Sequence, residues 1–168
     1  MKIVFSLAIV AAVALSGCSS NKSENKSSSV ETVTVESPAI SEVEISDVNG
    51  YFAINKVETP KVYVLDEAGF KENFHPAPVM GNPPTSIDFA AQKVAAVVLP
   101  ETEFDTTISI DKVYLEGKTL NIVYSYNQGT EKRTFTTKPV KIFTFSSQTG
   151  ADTVVFKAGD QVETIALK

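Results

Sequence analysis

The sequence has almost none of the residue types from which most catalytic and metal-binding sites are built. Its 168 residues include one cysteine, one histidine and no tryptophan. One cysteine excludes an internal disulfide framework, and together with one histidine it leaves too few ligands for a zinc site. The chain also contains no glycine-rich phosphate loop and no Gly-x-Ser-x-Gly nucleophile motif. These absences predict a protein that is not an enzyme and that holds no cofactor or metal.

The one histidine, His75, lies between Phe74 and Pro76. A Ser-His-acid triad would have to use it. We favour a structural histidine that closes the C-terminus of a short helix.

Positive charge is scarce as well. The chain has 15 lysines and arginines against 20 acidic residues, so its formal net charge is −5. A protein with this charge is not attracted to phosphate backbones, which excludes nucleic acid as a partner.

The most specific pattern lies at the N-terminus. Lys2 precedes an apolar run over residues 3–15. A run of this length suits a secretory signal and is too short to span a membrane, which takes about 20 apolar residues. Leu15, Ser16 and Gly17 then lead directly into Cys18. These four residues resemble the lipobox of bacterial lipoproteins.

The resemblance to lipoproteins implies cleavage before Cys18 and acylation of that cysteine. The acylated Cys18 would then anchor the chain to a lipid bilayer in the cell envelope, and two or three acyl chains make such an anchor lasting. Ser19 follows the cysteine where aspartate would retain an enterobacterial lipoprotein at the inner membrane. We therefore favour the outer membrane and, because few acids follow Cys18, its periplasmic face.

Composition divides the chain into three segments. Residues 1–17 are the predicted signal peptide, residues 18–39 the lipidated cysteine and a flexible tether, and residues 40–168 a single β-rich globular domain. The tether begins with serine, asparagine, lysine and glutamate, which bury too little apolar surface to fold. The alternating residues 30–35 are either an edge strand or part of the tether.

Short strand patterns dominate the rest of the chain. They predict a mainly β (α+β) fold, an antiparallel β-sandwich or half-open barrel with one short helix. The predicted elements are a hairpin at Asn49-Gly50, a strand over Lys61–Leu65, a helix over Glu67–Asn73 capped by Asp66, a central strand over 93–99 covered on both faces, a hairpin across Gly117 with a bulge near Asp111, and a turn at 127–129.

Part of this order resembles the C-terminal domain of PrcB-type subunits, small lipoprotein partners of a bacterial surface protease complex. The resemblance covers residues 61–157. It lies in Ile87-Asp88-Phe89, in the apolar strand Lys93 to Val98, and in Lys138-Pro139-Val140-Lys141-Ile142. The loop after the apolar strand departs from the family pattern, because residues 100–107 contain no glycine. The resemblance implies a protein-binding lipoprotein.

Two predicted loops are the candidate binding surface. The proline-rich residues 75–86 would expose Val79 and Met80, and residues 100–107 would expose Phe104 among acids. Apolar side chains at the tips of stiff loops lose little entropy on docking. The alternative is that they fold back onto the core.

Two charged clusters are further candidates. Glu101, Glu103 and Asp105 are either weak calcium ligands or a solvated strand edge, and they lack the pattern of a calcium-binding loop. A basic cluster, Lys132, Arg133, Lys138 and Lys141, would meet an acidic partner or an anionic lipid, or else protect a strand edge. We favour the solvated edge in both cases.

These observations favour an envelope lipoprotein that acts without catalysis, as a protein-binding or accessory subunit whose partner is another envelope protein. The alternatives are a module that binds a small ligand or glycan and, third, a hydrolase that depends on carboxylates.

Overall fold

A computed structural model of the chain describes residues 39–77 and 81–167. Over these residues the chain is mainly β with one short helix, which confirms the predicted fold class. The elements in chain order are β1 (Ile40–Glu42), β2 (Ile45–Val48), β3 (Tyr51–Ala53), β4 (Lys61–Leu65), α1 (Glu67–Asn73), β5 (Phe74–Pro76), β6 (Gln92–Val98), β7 (Thr102–Glu116), β8 (Thr119–Thr137), β9 (Val140–Ser146), β10 (Thr153–Ala158) and β11 (Gln161–Ala166).

The strands form two larger sheets and one pair. The five-stranded sheet has the order β1-β7-β8-β10-β11, the four-stranded sheet has the order β2-β9-β6-β4, and β3 pairs with β5. Neighbouring strands are antiparallel except β8 and β10, which are parallel. The prediction of an antiparallel arrangement is therefore wrong for this one pair.

Two apolar clusters hold these layers together. The first lies between the two larger sheets and takes Leu120, Ile122 and Phe156 from one sheet and Phe143 and Phe145 from the other. The second lies on the opposite face of the four-stranded sheet and receives residues of α1, β3 and β5. We call the first cluster the sandwich core and the second the helix-side core.

Strand β6 belongs to both cores. Val97 faces the sandwich core, whereas Val94, Ala96 and Val98 face the helix-side core, and all four are fully buried. Because the two cores cover both faces of β6, its apolar residues do not alternate with polar ones. The predicted central strand is confirmed.

The predicted helix also forms at its predicted position. Asp66 is the N-cap, and its Oδ1 accepts a hydrogen bond of 2.8 Å from the backbone N–H of Gly69. Phe70 and Phe74 are buried with their rings stacked 5.3 Å apart. Phe74 is the C-cap of α1, so His75 does not close the helix. His75 is an exposed residue of β5 instead.

The predicted hairpin at Asn49-Gly50 is wrong. Gly50 does have a positive φ of 81°, but β2 pairs with β9 and β3 pairs with β5. The Asn49 N–H donates to Thr85 Oγ1 over 3.0 Å, and a Cβ on Gly50 would lie 2.7 Å from Pro84 Cα. The two residues form a corner between two sheets, where only glycine tolerates the close approach.

Strands β7 and β8 form a long ribbon whose turn is Gly117-Lys118, as predicted. Ile110 lies opposite Tyr124, whereas Lys112 lies opposite Val123, so Asp111 is an extra residue in β7. This confirms the predicted bulge. Ser125 Oγ donates a hydrogen bond of 3.0 Å to the Asp111 carboxylate and fixes it.

The predicted turn at 127–129 is wrong, because β8 continues through it. Two irregularities absorb the extra length of β8. In the first, the register passes from Thr106↔Gln128 to Phe104↔Lys132, so one residue of β7 faces residues 129–131 of β8. In the second, the register passes from Phe104↔Lys132 to Thr102↔Thr137, so one residue of β7 faces residues 133–136 of β8. The ribbon is therefore continuous but locally widened.

The predicted signal peptide, the lipobox residues Leu15, Ser16, Gly17 and Cys18, and the tether up to residue 38 lie outside the described residues. Those parts of the domain assignment stay predictions. Within the described residues, no helix combines the length and hydropathy needed to cross a bilayer.

Candidate functional site

The structure describes one of the three predicted binding residues. Val79 and Met80 lie outside the described residues. Phe104 lies in β7 opposite Lys132 and is half-buried. Since β7 begins at Thr102, the predicted loop over 100–107 is wrong, and Phe104 is not at a loop tip. Residues 102–107 belong to β7 because they pair with the second half of β8 across two register shifts. The sequence pattern does not reveal this pairing.

Part of the acidic cluster and part of the basic cluster form cross-strand ion pairs. Lys132 Nζ lies 2.7 Å from Glu103 Oε2, and Arg133 Nη2 lies 2.9 Å from Asp105 Oδ1. These contacts bridge the two widened parts of the ribbon. Within the part of the chain that the structure describes, no three acidic, histidine or cysteine side chains gather as metal ligands do. Two acids and two bases of the clusters thus pair with each other across the ribbon.

Lys138 has a different environment from the other bases. Its side chain is only 15 % exposed, and Nζ donates to the carbonyl oxygens of Ala53 at 3.2 Å and Asn55 at 2.9 Å. The Glu101 carboxylate lies farther away, at 3.8 Å. Lys138 thus connects the base of the ribbon to the end of β3. The last base of the cluster, Lys141, pairs with Asp47 at 2.7 Å.

A small cleft lies at this base of the ribbon, where the chain passes from the four-stranded sheet to the ribbon and back. The Leu99 N–H donates to the Pro139 carbonyl oxygen over 3.0 Å, which holds the two crossing segments together. The cleft has a volume of about 250 Å³. We call it the ribbon cleft, and its lining residues are Pro60, Leu99, Pro100, Glu101, Thr102, Thr106, Tyr126, Gln128 and Pro139.

Tyr126 is the aromatic residue of the ribbon cleft. It continues the face of β8 that carries Leu120, Ile122 and Tyr124, all buried in the sandwich core. The four-stranded sheet does not extend this far, since β6 ends at Val98. Tyr126 therefore emerges from the core, and 47 % of the residue's surface is exposed.

The polar groups of the ribbon cleft are positioned by hydrogen bonds. Gln128 Nε2 donates to Thr102 Oγ1 over 3.2 Å, and the same oxygen accepts the Phe104 N–H at 3.1 Å. The hydrogen bond to Thr102 positions the amide of Gln128 in the lining of the cleft. The site can bury an apolar group against prolines, leucine and tyrosine, and it can exchange hydrogen bonds with a ligand.

Burial affects the tyrosine that lies next to the cleft. Tyr124 is 5 % exposed, and burial raises the pKa of its phenol above the usual value. Tyr126 and Glu163 raise the same pKa further by their negative charge when ionised.

A second concave surface lies beside α1, but it offers less chemistry. It is wide and shallow and is lined by Asp66, Glu67, Ala68, Lys71, Phe89 and Ala90. Asp66 already caps the helix, and Glu67 accepts a 2.6 Å hydrogen bond from Lys71. Its polar groups are thus used by the helix, which leaves the ribbon cleft as the better candidate.

No family model matches this chain, and no curated protein or solved structure is significantly similar to it. The ribbon cleft is therefore interpreted from its own geometry. Sequence reasoning missed it, because Tyr126 shares its face of β8 with three core residues, and the alternation alone predicts a buried position.

Proposed function

We propose that this protein is an envelope lipoprotein, anchored through acylated Cys18, whose β-rich domain binds another protein without catalysis. The lipobox at residues 15–18 supports the anchor. The ribbon cleft supports the binding role, with Tyr126 and three prolines receiving a side chain of the partner. An accessory subunit of an envelope complex, similar to the PrcB-type lipoproteins, is the role that fits both features.

The lining of the ribbon cleft is the observation that carries this proposal. Three prolines, Leu99 and the exposed Tyr126 line a space of about 250 Å³, which accommodates an anchoring side chain of a protein partner. Its three prolines have little side-chain freedom to lose on binding, so contact with them carries a small entropic cost.

Exposed apolar residues on the same ribbon support a protein partner. Phe135 is 57 % exposed, and the Arg133 guanidinium lies 5.6 Å from its ring centre. Aromatic and arginine side chains are enriched at the cores of protein interfaces. A partner that reaches from the cleft along the ribbon would cover both Phe135 and Tyr126.

The two alternative functions find less support in the described residues. A glycosidase-like hydrolase needs two carboxyl groups about 5–9.5 Å apart. Glu101 is the only carboxylate among the described residues that line the ribbon cleft, and Glu103 and Asp105 are engaged in ion pairs. A glycan site would also need a wider aromatic platform than the single ring of Tyr126.

A crosslinked pull-down from intact envelopes tests the proposal. We expect Tyr126→Ala to leave the melting temperature nearly unchanged and to weaken partner binding by about 2 kcal/mol, which is roughly thirtyfold in Kd. Ile40→Ala is the matched control, because Ile40 is 62 % exposed and lies in β1, outside the ribbon cleft. Equal partner recovery with both variants would contradict the proposed function.

A further inference from the structure

A second hollow adjoins the ribbon cleft. That hollow has a volume of about 200 Å³ and is lined by Pro60, Tyr124, Phe156 and the first three residues of β11. Pro60 lines both spaces. Tyr124 and Tyr126 are two residues apart on one face of β8. Tyr124 lines the second hollow, and Tyr126 lines the ribbon cleft. We call the two spaces together the seam groove.

The seam groove follows the opening between the edges of the two large sheets. Strand β11 is the last strand of the five-stranded sheet, and β4 is the last strand of the four-stranded sheet. Near their C-terminal ends the two strands line a common hollow through Leu65 and Leu167. Near their N-terminal ends they are separated by the seam groove, which lies between Pro60 and Gln161.

Strand β11 offers its outer backbone edge on the side away from β10. Its six residues pair with β10 along their whole length, and no strand of the described residues forms a ladder with the other edge, although β4 contacts β11. Val162 is 62 % exposed there. An edge of this kind accepts an extended peptide through main-chain hydrogen bonds, while hollows beside it select side chains.

The charged side chains that line the seam groove have one sign. They are Glu101 at one end and Glu163 at the other, and no lysine or arginine of the described chain is among the lining residues. Lys138 neutralises Glu101 only in part, because its Nζ is 3.8 Å away and already donates to two carbonyl oxygens. A positively charged occupant would be stabilised at both ends.

We propose that the seam groove binds an extended peptide segment of the partner protein in which lysine or arginine alternates with apolar residues such as valine or proline. This inference rests on the proposed function and adds the chemical class of the partner. The apolar side chains enter the two hollows, and the basic side chains approach Glu101 and Glu163. Complementary charge of this kind selects the partner and speeds its encounter.

A second copy of this chain fits the seam groove less well. Pairing two β11 strands edge to edge would place a second acidic chain, with a formal net charge of −5, against the acidic groove. Two chains of like net charge repel each other. The acidic groove therefore favours a basic partner over self-association.

Selection from a random nonapeptide library displayed on phage, with the purified full chain as bait, tests this inference. Bound peptides should be enriched in lysine or arginine between apolar residues. For an enriched peptide, fluorescence anisotropy in low salt should show that Glu101→Gln combined with Glu163→Gln raises Kd about three- to tenfold. The matched control, Glu42→Gln with Glu44→Gln, removes the same charge from exposed residues of the β1–β2 segment and should leave Kd unchanged.

Enrichment of neutral or acidic peptides would overturn the inference, as would equal Kd changes in the groove and control variants. If these results occur while Tyr126→Ala still reduces partner recovery from envelopes, the proposed function stands without this partner class. Unchanged recovery with Tyr126→Ala would instead overturn the proposed function itself.

Discussion

Lys138 gives the sharpest test of which contacts hold the base of the ribbon. Its ammonium group lies closer to two backbone carbonyl oxygens than to the nearest carboxylate. Its Nζ is 2.9 Å from the Asn55 oxygen and 3.2 Å from the Ala53 oxygen, but 3.8 Å from Glu101. Lys138→Met keeps a long apolar side chain and removes both hydrogen bonds. Only the charge and the donors are lost.

The expected cost follows from these contacts. A hydrogen bond to a charged group contributes about 1.5–3 kcal/mol, and water can replace part of the contact at the exposed Asn55 oxygen. We therefore expect Lys138→Met to destabilise the domain by about 2–3 kcal/mol. At roughly 3–4 °C per kcal/mol for a domain of this size, the melting temperature should fall by about 6–12 °C.

Two controls separate the carbonyl contacts from the ion pair. The Glu101 side chain is half-exposed, so Glu101→Gln should cost less than about 1 kcal/mol. Lys132→Met removes an equivalent charge from a side chain that is 64 % exposed, and it should also cost less than about 1 kcal/mol.

Thermal denaturation followed by circular dichroism provides the global measurement. Amide exchange at Ile54, whose N–H donates to the Asn73 carbonyl over 3.0 Å, provides the local one and should accelerate in Lys138→Met. If Lys138→Met melts within about 2 °C of the wild type, or no lower than Lys132→Met, the carbonyl contacts do not hold the base of the ribbon.

Two further predictions concern the anchor and the core. Cys18→Ser should abolish lipid attachment and leave an unprocessed or soluble chain, and detergent partitioning like that of the wild type after signal cleavage would contradict the lipoprotein assignment. Val97→Asp places a carboxylate at a fully buried position of the sandwich core, at a cost of several kcal/mol against a typical stability of about 5–15 kcal/mol. Loss of cooperative thermal unfolding is expected, and an unchanged melting temperature would remove β6 from the core.

The elements that the sequence predicted well are those whose cause is local. The cap of α1 needs only Asp66 and the amide of Gly69, three residues away. The burial of β6 on both faces follows from its uninterrupted apolar residues, and the bulge at Asp111 follows from the change of phase within β7 itself. In each case the determining residues lie within one segment, so the pattern contains the information.

The wrong predictions concern contacts between segments distant in sequence. Asn49-Gly50 carries a strong hairpin signal, yet Thr85 and Pro84 hold it as a corner, and β2 finds its partner in β9. The acids of β7 looked like a loop because their basic partners lie 28 or 29 residues later, as the pairs Arg133–Asp105 and Lys132–Glu103 show. No local pattern distinguishes a solvated charge from one half of a cross-strand pair.

The candidate site has the same non-local origin. Strand β8 exceeds its partner in length, and the widened ribbon exposes the stretch from Tyr126 to Phe135, although β8 as a whole is one strand. The alternation that buries Leu120, Ile122 and Tyr124 continues to Tyr126. The four-stranded sheet that covers this face of β8 ends before it reaches Tyr126. A residue patterned for the core thus becomes the exposed wall of a cleft. The position of the site is set by this difference in strand lengths, which explains why its residues carry no motif.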